Sequence, residues 1–189
     1  MEERFTRSDL LNGAGFAGIV LAILPIVFYF LNCRVSSRVF ADPEAPSAGG
    51  GWLILLWVVK LVGSILILRY FMRAFASRFP RVERSAVSGF GTLCCLASSL
   101  IFSAFILAYH KFIDPDMMRL MTDFVLEKSP MALDENTRAT LEKLPSGYPV
   151  AAFFSNFFYC TLYGAIASAI LSRRIAGDGL PPDSPNEDN

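Results

Sequence analysis

The chain has 189 residues, of which 53% are hydrophobic and only 18% charged, and its mean hydropathy is positive. That balance is wrong for a water-soluble domain of this length and fits one membrane domain. Formal net charge is zero and the basic residues lie beside apolar runs, which excludes a nucleic-acid-binding surface.

Four apolar runs predict transmembrane helices at about 10–31, 51–72, 86–109 and 150–171. Each is long enough, because a hydrocarbon core of about 30 Å takes roughly 20 residues at 1.5 Å rise. The expected fold is all-α: a polytopic membrane protein with four spans and a short amphipathic helical segment between the third and fourth. Residues 1–175 make a single domain, and 176–189 a disordered C-terminal tail.

The first run follows Arg4 and Arg7 and is too long for a signal-peptide core of roughly 7 to 15 residues. Arg34 and Arg38 also separate it from the cleavage-like Val39-Phe40-Ala41, so it stays in the protein as a span. Ala14 and Gly18 place small residues on one face, and Pro25 predicts a kink.

The second run carries Lys60 near its middle. A lysine at the centre of a span costs roughly 2.5 to 3.5 kcal/mol on insertion scales, so it must face the bundle interior, a watery cavity or a partner. No acid lies at similar depth; the other spans offer Ser98, Ser99, Ser103, Cys160, Thr161, Tyr163 and Asn156. Two readings stand together: an ion, proton or anionic-ligand site built from Lys60, Ser98, Ser99, Thr161 and Tyr163, or a lysine that snorkels or is satisfied by hydroxyls and carbonyls. An acid from another subunit is a third. Past the membrane, Phe71, Phe75 and Phe79 recur every four residues until Pro80, flanked by arginines. Such a helix end either acts as a topology determinant or lies along an anionic leaflet.

Residues 69–85 hold Arg69, Arg73, Arg78, Arg81 and Arg84, the densest basic stretch of the chain. The cytoplasmic side retains such residues, which puts this loop and both termini inside, with Arg4, Arg7, Arg173 and Arg174. Aromatic residues gather at span ends, as amphipathic rings do at headgroup level. In the third run Gly91, Cys95, Ser99 and Ser103 repeat every four residues, and in the fourth Gly164 and Ser168 do the same. These small-residue stripes predict close helix packing.

Between them, residues 110–149 are richer in charge. Asp114 and Pro115 predict a helix start, with Asp as N-cap and Pro in the first turn. Met117, Met121, Phe124 and Val125 then fall on one face, as a contact surface or as a roof over the bundle. Asp134 is expected to cap a second helix through Leu144 before Pro145-Ser146-Gly147 turns the chain back.

Catalytic signals are thin. His110, the one histidine, reads as an interfacial residue, and the four cysteines read as no disulfide framework. There is no phosphate loop, no Cys-x-x-Cys pair and no intramembrane carboxylate pair, so neither enzyme activity, metal nor cofactor is expected.

The small-residue-rich first span, the basic turn after the second, Ser88-Gly89-Phe90-Gly91, Phe112-Ile113-Asp114-Pro115-Asp116, and Gly164-Ala165-Ile166-Ala167-Ser168-Ala169-Ile170-Leu171 running into Arg173-Arg174 form a recognisable layout. It resembles the bacterial family called domain of unknown function 4199. The resemblance implies a four-span inner-membrane protein and supplies no substrate or catalytic residue. The function expected is that of a non-enzymatic accessory or assembly subunit that contacts partners through its external segment. The alternative is a small transporter or channel with its site around Lys60. The partners expected are the lipid bilayer and a membrane protein or second copy, with no nucleic acid.

Overall fold

The computed structural model describes residues 6–41, 48–79, 83–116, 119, 122–123 and 135–177. Every regular element among them is helical: α1 (Arg7–Ala41), α2 (Ala48–Arg78), α3 (Arg84–Ala108), a π-helical turn (Tyr109–Ile113) and α4 (Glu135–Gly177). Arg7–Arg34, Ile54–Arg78, Arg84–Ile113 and Ser146–Ile175 are long and apolar enough to cross a membrane, so this is an all-α, multi-pass membrane protein. We call its two ends the arginine end, with Arg7, Arg78, Arg84 and Arg174, and the histidine end, with His110.

α1 opens on a reciprocal cap. Asp9 N–H donates to Thr6 Oγ1 at 3.3 Å, and Thr6 N–H to the Asp9 carboxylate at 3.2 Å. Two otherwise unpaired first-turn donors are thereby satisfied.

α3 is the central helix, packed most extensively on α4 and then on α1, while α2 is peripheral. Half of an apolar 18-residue stretch of the third span is buried within the protein but only 6% of the corresponding stretch of the second. Trp52, Ile54, Leu55, Val58, Val62 and Leu66 of α2 stay exposed, as suits a helix whose solvent is lipid.

The close approaches run along small residues. A Cβ on Gly18 would come within 2.6 Å of Ala97 Cβ and 2.9 Å of the Cys94 carbonyl oxygen. One on Gly91 would meet Ser168 Oγ at 2.6 Å, and one on Gly164 would collide with the Cys95 side chain. On the α4 face, Ser168 Oγ donates to the Gly164 carbonyl at 2.7 Å and Ser172 Oγ to that of Ala169 at 2.9 Å, both within their own helix.

At the arginine end all four helices share one core: Ala14, Ala17 and Leu21 of α1, Leu68, Met72 and Phe75 of α2, Phe90 and Cys94 of α3, Leu171 and Ile175 of α4. The aromatic stripe of α2 belongs to it. Phe75 stacks on Phe90 at 4.2 Å between centroids and 9° between planes, and Phe79 is buried. The stripe therefore closes the bundle instead of lying along a leaflet.

Two local expectations are corrected. Pro115 and Asp116 lie in a bend rather than the first turn of a helix, because Asp114 terminates the π turn, its N–H donating to the Tyr109 carbonyl at 2.9 Å. There is also no turn at Pro145-Ser146-Gly147: α4 is continuous from Glu135 into the membrane. Pro145 and Pro149 each remove one backbone bond without ending the helix, and Gly147 keeps a helical negative φ, so no turn reverses the chain there. The tail from residue 178 onward lies outside the described residues.

Candidate functional site

At the histidine end the second core is built from Phe102 and Ile106 of α3 and Ala152 of α4, with Ile26 and Tyr29 of α1 and Tyr148 and Cys160 of α4 packed on it. Among the described residues α2 contributes nothing to it. α2 is thus fastened to the bundle near the arginine end and stands off near the other, which leaves two clefts along its inner side.

The first cleft, about 120 Å³, is lined by all four helices, with Trp57, Lys60, Ser64 and Leu68 from α2, Ser98, Ser99 and Phe102 from α3, and Tyr159, Cys160, Tyr163 and Gly164 from α4. The second, about 220 Å³, lies toward α1 and is lined by Phe28, Tyr29, Asn32, Leu56 and Phe102. Pro25, Trp57 and Lys60 line both. Lys60 and Ser64 sit four residues apart on one face of α2, which is why both look into the first cleft.

No carboxylate lies within ion-pair distance of Lys60 among the described residues, and no hydrogen bond of its ammonium is formed there. Hydroxyls of Ser64, Ser98, Tyr159 and Tyr163 line the walls around it. Ser99 is held in place, its Oγ 2.9 Å from the Leu96 carbonyl and 2.7 Å from Thr161 Oγ1 across the α3–α4 seam. A half-buried cation with no counterion among the described residues, in a cleft lined by hydroxyl-bearing side chains, is suited to hold an anion.

A second polar cluster closes the histidine end. His110 is 5% exposed, its Nε2 lies 2.5 Å from Tyr29 Oη, and its Nδ1 is buried with no partner among the described residues. Tyr109 and Tyr148 meet the imidazole edge-on at 5.6 and 5.0 Å, and Cys33 is hydrogen-bonded to both Tyr29 and Tyr109. The π turn adds a residue to the last circuit of α3, and the neighbours Tyr109 and His110 both face inward.

The family described as a protein of unknown function, DUF4199, matches residues 12–173. The chain belongs to that family. No curated protein and no solved structure matches it.

In this DUF4199 protein the residues singled out from sequence separate into groups. Lys60, Ser98, Ser99 and Tyr163 come together on the first cleft, and Thr161 stands behind them as the partner of Ser99. Gly91, Cys95, Gly164 and Ser168 meet along the α3–α4 seam. Ser103 is fully buried and its hydroxyl has no partner among the described residues. Asn156 donates to the Ala152 carbonyl of its own helix at 2.8 Å, away from the clefts. Met117, Met121, Phe124 and Val125 lie outside the described residues. The described residues hold no group of three metal-ligating side chains.

Sequence reasoning missed Ser64, although its i+4 spacing from Lys60 was a usable signal. It also missed the Tyr29–His110 pair: His110, read from sequence as an interfacial residue at a span end, is buried against Tyr29. The two are 81 positions apart, and no local pattern connects them.

Proposed function

We propose that this DUF4199 protein is a non-enzymatic, integral protein of a bacterial inner membrane that holds an anionic group beside Lys60. The observation that carries this reading is the Lys60 ammonium, unpaired among the described residues and shared by two clefts. Retaining an unneutralised lysine within a span is costly, and an anion bound there offsets that cost. Binding and release from such a site is the elementary step of a small carrier.

Native mass spectrometry of the protein extracted in mild detergent tests it. The purified protein is expected to carry an anionic adduct that Lys60→Met loses and Lys60→Arg keeps. Equal adducts on the wild type and Lys60→Met would sink the proposal.

A second reading, an accessory subunit with an external contact surface, draws on α4, which starts at Glu135, fifteen residues ahead of the apolar run at Val150, and so projects about 22 Å beyond it at 1.5 Å per residue. It needs the histidine end to face away from the cytoplasm, with both termini cytoplasmic. Reporter fusions at Gly50 and Pro130 are expected to read as external and one at Phe79 as cytoplasmic; the reverse pattern overturns that orientation.

A further inference from the structure

We propose that the anion held beside Lys60 is the carboxylate of an amphiphile with one hydrocarbon tail, admitted sideways from the bilayer between α2 and α4. This rests on the reading of Lys60 as an anion site and adds to it the class of ligand.

The depth of Lys60 comes first. It lies nine residues beyond Gly51, where the second apolar run begins, and so about 14 Å along the helix axis at 1.5 Å per residue. A phospholipid keeps its phosphate at headgroup level, and a phosphodiester stays charged at any physiological pH. A carboxylic acid differs, because it can enter the hydrocarbon as the neutral acid and ionise once it meets the ammonium. The proton released by the acid passes to solvent, so the bound state is a carboxylate–ammonium pair and no other bond changes.

The walls supply the second argument. Lys60 offers up to three donors, while Ser64, one turn further along the same face, and Ser98 and Tyr163 opposite add hydroxyls. The roughly four acceptor sites of two carboxylate oxygens can all be filled from this set of up to six donors. Below the polar ring the first cleft continues between Ile65 and Leu68 on one side and Gly164 and Ala167 on the other. The small residues on α4 leave a slot for a single chain, and the core at the arginine end closes it with Met72 and Leu171.

The entrance is the third. Trp57 and Tyr159 line the cleft and are 50% or more exposed, one on each side of the α2–α4 gap. Among the described residues α2 takes no part in the core at the histidine end, so no buried core of theirs shuts the gap to lipid there.

Trp57 gives a direct reporter, as the chain has two tryptophans and Trp52→Phe leaves it alone. The full-length variant in nanodiscs is titrated with a brominated long-chain carboxylic acid, the brominated alcohol of the same tail, and a brominated phosphatidylglycerol. Quenching by the acid is expected to saturate at a concentration at least about tenfold below the alcohol, the difference made by a charge-assisted pair. Lys60→Gln is expected to erase that difference and Lys60→Arg to keep it. Ser64→Ala, which leaves the charge in place, should weaken the acid by a smaller factor and spare the alcohol. Equal quenching by acid and alcohol in the Lys60 protein overturns the proposal. Saturable, Lys60-dependent quenching by the phosphatidylglycerol alone also overturns it, while leaving the anion site standing. Loss of Lys60 dependence for every anionic probe, together with equal adducts in the mass spectra, removes the anion site itself.

Discussion

Gly164→Ala lowers the stability of the bundle by about 1–3 kcal/mol, the usual cost of forcing an extra methyl group into a packed seam. The opposing effect is real, since alanine favours a helix over glycine by about 1 kcal/mol. The collision wins because the obstacle is the Cβ and Sγ of Cys95, and the Cβ is fixed to the α3 backbone and cannot swing away. α3 and α4 form the most extensive helix pair, so a shift there disturbs the centre of the fold. Gly15→Ala is the matched control, for a Cβ at Gly15 meets nothing within 4 Å and only the gain in helix preference remains. Unfolding of both variants by denaturing detergent measures the contrast. Equal stability of Gly164→Ala and the wild type would show that the seam is looser than described.

Tyr29→Phe is expected to cost about 1–3 kcal/mol, because it strips the buried imidazole of His110 of the hydroxyl at Nε2 while Nδ1 already has no partner among the described residues. His110→Phe costs less. It removes the imidazole with its unmet nitrogen and leaves Tyr29 hydrogen-bonded to Cys33. The double variant places two phenyl rings among Phe102, Phe105 and Tyr109, where Tyr29 already packs edge-on at 5.4 to 6.2 Å. Its destabilisation should therefore fall short of the sum of the single variants by about 1 kcal/mol, the signature of groups that act as a pair. Strictly additive losses in the double-mutant cycle would mean that the hydroxyl and the imidazole do not stabilise one another. The pair also joins α1 to the end of α3, so its loss should loosen the histidine end before the arginine end in hydrogen exchange.

The four spans were legible because hydropathy over some 20 residues is a local property. So was the unusual position of Lys60, a charge within an apolar run, and so were the small-residue stripes at Gly91, Cys95, Gly164 and Ser168, which need only a four-residue repeat. Three features were not legible. Phe75 turns inward onto Phe90 with Phe79 packed on it, α4 runs unbroken through Pro145, and α2 stands off from the second core so that Lys60 faces a cleft.

The physical reason is the solvent. In water an apolar stripe marks the buried face of a helix, but lipid is as apolar as a protein core, so a membrane helix is hydrophobic all round and its sequence does not say which side meets a neighbour. The sequence by itself determined that this chain crosses the membrane four times and places one lysine at depth. Only the packing of α2 against three other helices, at one end and not the other, decided what that lysine faces and brought Tyr29 to His110 across 81 residues.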